Sequence, residues 1–274
     1  PVISQKQVAT EVGELKTAKP TTAAVLSPKG PQRSLEVSKP GPLPEGDFTA
    51  EAFIQLNSLF ADASVRTIVS QWNSSKASPG WSLGITSTKS AYQPRNLILQ
   101  LIGIPQRGDH GYEVIASNLR PELNKPYYVA VILKFDDTGA GKATFILQDL
   151  TKPDAPPKTA TKAYAKNKHY ATKQTPIIGG RAQTQHHSWD GLIGNVRLTN
   201  RALSLEESLI QKPAADSDTL AHWQFTKADF YGDSSANNNT LQVVGAPAQM
   251  DPQLILLSGY CQVLLNSNAF LYID

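Results

Sequence analysis

Two neighbouring segments, Tyr127–Phe135 and Ala143–Leu150, restrict the fold more than any other feature of the sequence. In the first, Val129, Val131, Leu133 and Phe135 alternate with Tyr128, Ala130, Ile132 and Lys134. In the second, Phe145 and Leu147 alternate with Thr144, Ile146 and Gln148. A period of two places alternate side chains on opposite faces of a strand. Between the segments, Asp136-Asp-Thr-Gly-Ala-Gly supplies glycines able to take the positive φ of a hairpin. Each strand therefore has one wholly apolar face and one mixed face. The apolar face must be buried against a second sheet, which gives a sandwich.

The rest of the chain agrees with this from Asp47 onward. Strand-length apolar segments recur at Phe48–Leu56, Thr67–Trp72, Trp81–Thr86, Leu97–Ile104, Glu113–Ala116, Pro176–Gly180 and Leu192–Leu198, separated by turn chemistry. Helical periodicity is sustained nowhere in residues 47–200. The expected class is all-β, a two-sheet antiparallel jelly-roll sandwich with short helices near 205–211 and 252–265. Ser204-Leu-Glu-Glu207 has the capping-box pattern that opens the first helix. Asp251-Pro252 opens the second, and Leu254, Leu257, Cys261, Leu264 and Leu265 follow at helical spacing. Leu220–Phe225 and Leu241–Val244 read as returning strands.

Residues 1–46 are rich in Pro, Lys, Ser and Thr, and only Ser34-Leu-Glu-Val-Ser alternates as a strand would. Proline removes a backbone donor and interrupts pairing, so edge strands at most are expected there. The expected division is a Pro-rich leader over 1–33, a sandwich over 34–208 and an extension over 209–274 packed on it. The chain opens on Pro1 without an initiator Met, as a fragment of a longer protein would.

Composition excludes several classes. A net charge of +3, with scattered Lys and Arg, argues against a nucleic-acid surface. Apolar runs fall short of the roughly 20 residues of a spanning helix. The single cysteine, Cys261, excludes an internal disulfide and a Cys-based zinc cluster, and its place in the apolar stripe marks it as core.

The run Trp189-Asp-Gly-Leu-Ile-Gly-Asn-Val-Arg-Leu, followed by Arg201-Ala-Leu-Ser and Glu206-Glu207, resembles the closing signature of laminin-G-like, concanavalin-A-like sandwich domains. Gly46-Asp-Phe-Thr-Ala-Glu-Ala-Phe is similar to that family's opening strand, Lys125-Pro-Tyr-Tyr-Val-Ala-Val to its central one, and Ile178-Gly-Gly-Arg to its penultimate one. Separately, Tyr260–Asp274 resembles the ending of large planctomycete proteins that carry domains of unknown function alongside a cytochrome-c-like domain. Gln262 and Ala269 depart from that ending, where His and Glu are usual. The resemblances imply an extracytoplasmic module, with upstream domains of a parent chain among its partners and Asp274 as a native terminus.

The fold class also houses glycanases, which need two carboxyls about 5–5.5 Å apart for a retaining mechanism. On a strand that requires acids at i and i+2 or i+4, a spacing that no strand segment here has. Asp136-Asp137, Asp216 and Asp218 fall in loops and Glu206-Glu207 in a helix. A non-catalytic module is expected, with a purely structural domain and a polysaccharide hydrolase or lyase as rivals. The resemblance also raises a structural Ca²⁺, held by oxygen ligands. Gly194 and Asn195 replace the acids of the closing strand, leaving Asp47, Asp190 and Asn195 as candidates. Adjacent His186 and His187 would point to opposite faces and cannot chelate together.

A glycan site needs aromatic platforms beside planar hydrogen-bonding side chains. Trp81, Tyr92, Arg95, Arg107 and Tyr112 are the candidates, with a glycan or a protein as ligand. Trp72 and Trp81 have core filling as their competing role. Arg181 is expected to partner Asp190 or a carbonyl, and Gly179-Gly180 lacks the helix and lysine of a phosphate loop.

Overall fold

A computed structural model of the chain describes residues 12–17, 21–30, 32–59, 63–103, 111–136, 141–164, 170–182, 184 and 186–244. The alternating segments become strands. The first four are β1 (Val12–Leu15), β2 (Thr21–Leu26), β3 (Ser34–Val37) and β4 (Phe48–Leu56). Then come β5 (Val65–Gln71), β6 (Gly80–Thr86), β7 (Leu97–Ile102) and β8 (Tyr112–Ala116). The hairpin that opened the sequence reading is β9 (Pro126–Phe135) with β10 (Gly141–Asp149), joined at its free edge by β11 (Lys158–Tyr164). Last come β12 (Ile177–Ile178), β13 (Gly191–Thr199), β14 (Thr219–Trp223) and β15 (Leu241–Val244).

These form two antiparallel sheets, as the alternation requires. The larger runs β1-β2-β13-β4-β9-β10-β11, and β14 pairs with the second half of β13. The smaller runs β15-β3-β12-β5-β6-β7-β8. Val129, Val131, Leu133, Phe145 and Leu147 turn inward, against Leu83, Ile85, Leu97, Leu99 and Leu101 of the smaller sheet. Trp81, Trp189 and Trp223 are fully buried in this core, and each indole N–H finds an acceptor: Gln71 Oε1 at 3.0 Å, Gln55 O at 3.3 Å and Asn239 O at 2.7 Å.

The structure differs from the sequence expectation in three places. Residues 12–26 hold two strands, and β2 lies inside the larger sheet between β1 and β13. The prolines of this stretch, Pro20, Pro28 and Pro31, fall outside Thr21–Leu26 and leave its donors free to pair. β11 was not expected, because its side chains are mostly exposed and no apolar alternation marks it; Lys158 and Lys162 charge it as a sheet edge. The third difference is that the helix expected over 205–211 is a single 3₁₀ turn, Leu205–Glu207. The Leu209 N–H, which an α-helix would send to Leu205, donates instead to Glu51 Oε1 at 2.7 Å. Arg197 takes the Glu207 carbonyl at 2.8 Å. The capping box itself is present, with Ser204 N–H donating to Glu207 Oε2 at 2.9 Å.

Strands from β1 to β15 belong to one compact unit that ends at Val244. The helix expected over 252–265, Cys261 in it and the tail Tyr260–Asp274 lie outside the described residues.

Candidate ligand site

The smaller sheet turns its other face away from the sandwich core. Strand alternation sends Ser70, Ser82, Gln100 and Val114 to that face in one row, as the pairings Ser70–Ser82, Ser82–Gln100 and Gln100–Val114 fix. The next row carries Ile102 opposite Tyr112, and Trp72 beside Gly80. A Cβ on Gly80 would stand 2.9 Å from Trp72 Cβ, so the glycine lets the indole lie close to the strand. Trp72 is buried but stands apart from the core cluster that contains Trp81. Its ring lies 6.1 Å from that of Tyr112, and its N–H donates to Ser75 O at 2.8 Å. That bond fastens the loop after β5 so that the exposed Lys76 places its ammonium 5.0 Å from the centre of the Tyr112 ring.

Arg181 completes the cluster from the turn after β12. Ser70 Oγ donates to Gly180 O at 2.8 Å and Ala182 N–H to Trp72 O at 3.2 Å, which hold this turn over the sheet. The guanidinium stacks on Trp72 at 4.7 Å, donates to Thr67 Oγ1 at 3.0 Å, and donates to Gln100 Oε1. Gln100 in turn donates from Nε2 to the Tyr112 hydroxyl at 2.6 Å. Trp72, Arg181, Gln100 and Tyr112 therefore close a ring of contacts.

The charge in this ring is unbalanced. Arg181 is only 4% exposed, and all its described hydrogen-bond partners are neutral. No carboxylate among the described residues forms an ion pair with it, and the expected partner Asp190 instead accepts from Ser58 Oγ. Burial, partly offset by Tyr112 and reinforced by Arg66, lowers its pKa to about 9, so it is a cation at neutral pH. An uncompensated buried cation costs several kcal/mol. Stacking on an aromatic face returns about 2 kcal/mol when desolvated. In the same face Ser82 Oγ is buried, with no hydrogen-bond partner among the described residues.

The other expected residues do not join this cluster. Trp81 is fully buried on the core face against Phe48, with ring centres 4.9 Å apart, so it cannot touch a ligand. Alternation explains the difference: Trp81 faces inward with Leu83 and Ile85, whereas Trp72 follows the inward Gln71. Tyr92 is the one large hydrophobic exposed among the described residues, at 40%. It lies with Arg95 in the β6–β7 connection, at the opposite end of these strands from Tyr112. Arg95 has positive φ and its N–H donates to Thr86 O at 2.9 Å, so the loop is tightly closed. Arg107 lies outside the described residues.

The three calcium candidates are separated. Asp47 precedes β4 and accepts from Phe135 N–H at 2.8 Å. Asp190 lies at the other end of that nine-residue strand, where Asn57 N–H donates to its carbonyl. That is a span of roughly 30 Å at strand rise. Asn195 sits at a bulge in β13, and its Oδ1 lies 3.2 Å from His222 Nε2. They therefore do not form one coordination sphere. Gly194, where the resembled family has an acid, packs against β2: a Cβ there would lie 2.8 Å from Thr22 O. Among the described residues no three His, Cys, Asp or Glu side chains group as a metal site. His187 bends away at positive φ with Nδ1 3.2 Å from Val65 O, and His186 is exposed.

An apolar groove of about 690 Å³ lies elsewhere, between Phe53, Leu150, Pro153, Leu209 and Ile210 on the larger sheet. It is lined by one charged residue, Asp154.

No family model matches the chain, nor does any curated protein. Solved structures do. The enzymatically active domain of tailspike protein 2 of bacteriophage CBA120 is similar at a TM-score of 0.55 and 12% identity, over 78% of this chain and 31% of that one. The full-length tailspike protein 2 of an Escherichia coli O157:H7 bacteriophage gives 0.52 and 13%, over 74% and 26%. A putative carbohydrate-binding protein from Bacteroides ovatus gives 0.50 and 16%, over 84% and 62%. What is shared is the two-sheet β-sandwich fold. The chain spans less than two thirds of each of these three proteins. Among the described residues no helix is long and apolar enough to cross a membrane.

Proposed function

We propose that this chain is a non-catalytic, glycan-recognising module, and that it binds through the outer face of the smaller sheet. The observation that carries this reading is the ring of Trp72, Tyr112, Gln100 and Arg181, with Lys76 at its rim. The partly exposed Tyr112 offers a π face and edge on which sugar C–H groups stack. Gln100 and Arg181, each 4% exposed, stand behind it as planar hydrogen-bonding groups. The fold shared with the putative carbohydrate-binding protein from Bacteroides ovatus favours the same class of ligand, as an analogy of scaffold.

The module is proposed to act by binding because the buried carboxylate of the larger sheet, Glu51, is neutralised by Arg197 at 2.7 Å and sealed beneath residues 203–214. It is therefore unable to serve as an acid or nucleophile for glycoside cleavage. We place the module outside the cytoplasm, within a longer parent protein, by the laminin-G-like resemblance of its closing strand.

A glycan array probed with the whole chain tests the reading. Binding to at least one saccharide is expected, lost in Tyr112→Ala and retained in Tyr92→Ala. The reverse result would move the site to the β6–β7 loop. Arrays that stay blank, or release of reducing ends from a bound glycan, would overturn it.

A further inference from the structure

We infer that the saccharide recognised here is acidic, and that Arg181 pairs with its carboxylate. The inference rests on the glycan reading above and adds the chemical class of the ligand. Its ground is an imbalance of charge within a built site. Arg181 is nearly enclosed, its described acceptors are the neutral Thr67 hydroxyl and Gln100 amide, and a π face covers one side of it. Ion pairs elsewhere in this protein show what a satisfied arginine looks like. Arg197 meets the Glu51 carboxylate with Nε and Nη2 and gives its remaining donors to the carbonyls of Glu207, Lys212 and Ala214. Arg201 reaches Glu207, Asp216 and Asp218. Arg181 has no such anion among the described residues, although its guanidinium is fixed by stacking and by two hydrogen bonds.

A fixed, desolvated guanidinium is a strong receptor for a carboxylate, since its planar fork matches both oxygens and little side-chain entropy remains to be lost. Its neighbours suit a sugar acid better than a bare anion. The Tyr112 hydroxyl accepts from Gln100, which leaves its own proton available to a ligand oxygen. Lys76, exposed above the Tyr112 ring, adds positive potential at the solvent end of the cluster. The cations stand at its two ends, Lys76 on Tyr112 and Arg181 on Trp72, with the aromatic pair between them. A ligand carrying its negative charge beside a ring of C–H groups fits that order.

Titration calorimetry on the whole chain tests this, using tri-galacturonic acid against its methyl ester, and 3′-sialyllactose against lactose. The first pair presents a uronate and the second a carboxylate on a nonulosonic acid, so the arms separate the two sources of the same group. At least one acid is expected to bind roughly ten- to hundredfold more tightly than its neutral partner. In Arg181→Gln that preference should vanish while weak binding of the neutral sugar persists. Arg181→Lys, which keeps the charge and loses the fork, should retain only part of it. Unchanged circular dichroism in both variants would confirm the fold. Equal affinity for acid and neutral partner would overturn the inference and leave the glycan reading standing. So would an acid preference that survives in Arg181→Gln and disappears in Lys76→Gln, which would assign it to surface charge. Failure of every sugar on the array and in the calorimeter would overturn both.

Discussion

Arg197 Nη2 lies 2.7 Å from Glu51 Oε2, and both side chains are buried on the outer face of the larger sheet. Glu51 Oε1 also accepts from the Tyr128 hydroxyl at 2.6 Å and from Leu209 N–H at 2.7 Å. Burial, followed by the neighbouring Glu51 charge, holds the Tyr128 phenol protonated well above its ordinary pKa. A β4 acid and a β13 base thus pin the chain that crosses the sheet after β13, and they do so through its backbone. Breaking such a pair strands a charge, at a cost of about 3–5 kcal/mol, whereas replacing both partners with apolar groups costs far less. Glu51→Leu is expected to lower the unfolding free energy by about that amount, and Glu51→Leu with Arg197→Met to recover much of it. Chemical denaturation of the two singles and the double reads the coupling. Additive losses would show that the pair does not act as a unit.

His222 lies beside Arg197 on the same face and is 1% exposed. Its Nε2 meets Asn195 Oδ1, while Nδ1 is buried with no partner among the described residues. Burial first, then the Arg197 charge, lower its pKa to about 4, against a smaller upward pull from Asp233. Above pH 6.5 the ring is neutral in both folded and unfolded chains and contributes nothing to pH dependence. Between about pH 6.5 and 4 the unfolded chain takes up a proton that the folded one refuses, so stability falls as pH falls, by up to about 3 kcal/mol. Thermal melts across that window should show the loss, and His222→Gln should flatten it. A slope unchanged by the substitution would assign the acid sensitivity to other groups.

The sandwich was legible in the sequence because its signal is periodic. Val129, Val131 and Leu133 can be read as one face without knowing what they touch. The 3₁₀ turn was not legible, because the groups that divert Leu209 N–H and the Glu207 carbonyl come from β4 and β13, far away in sequence. The candidate site was half legible. Tyr112, a ligand candidate on sequence, stands in the proposed ring with Gln100 and Trp72, whereas Trp81 and Trp72 share a residue type and only register tells which of them faces inward. Arg181, expected against Asp190 or a carbonyl, meets the Thr67 hydroxyl and the Gln100 side-chain amide oxygen. A missing counter-ion is a property of three-dimensional surroundings and leaves no trace in spacing.

Gly194 shows a local departure from the resembled family acting through space instead of charge. Its Cβ position would lie 2.8 Å from Thr22 O and 3.3 Å from Ala23 Cβ, so β2 occupies the volume a side chain needs. Gly194→Asp would restore the acid of the closing strand, yet the other candidates Asp47 and Asp190 sit at opposite ends of β4. The expected outcome is destabilisation by about 1–3 kcal/mol from overpacking, with no gain in melting temperature on adding Ca²⁺. A calcium-dependent rise in that variant would show that β2 can yield and that oxygen ligands converge there.

Arg181 offers a test that separates binding from architecture. If the guanidinium were present to hold the turn after β12 onto the sheet, its removal would destabilise the chain, as removal of Arg197 should. A buried cation with neutral partners has the opposite expectation, because the desolvation cost disappears with the charge while the methylene stem can still cover Trp72. Arg181→Met keeps that stem length and adds a polarizable thioether that suits an aromatic face. Its unfolding free energy should equal or exceed that of the parent chain by about 1–2 kcal/mol, offset only by the unpaired Gln100 Oε1. The same protein should have lost its acidic ligand. A stabilised, non-binding variant places Arg181 among residues kept at a cost to stability for recognition. A loss of several kcal/mol would make it a structural residue and remove the reason for assigning a ligand to it.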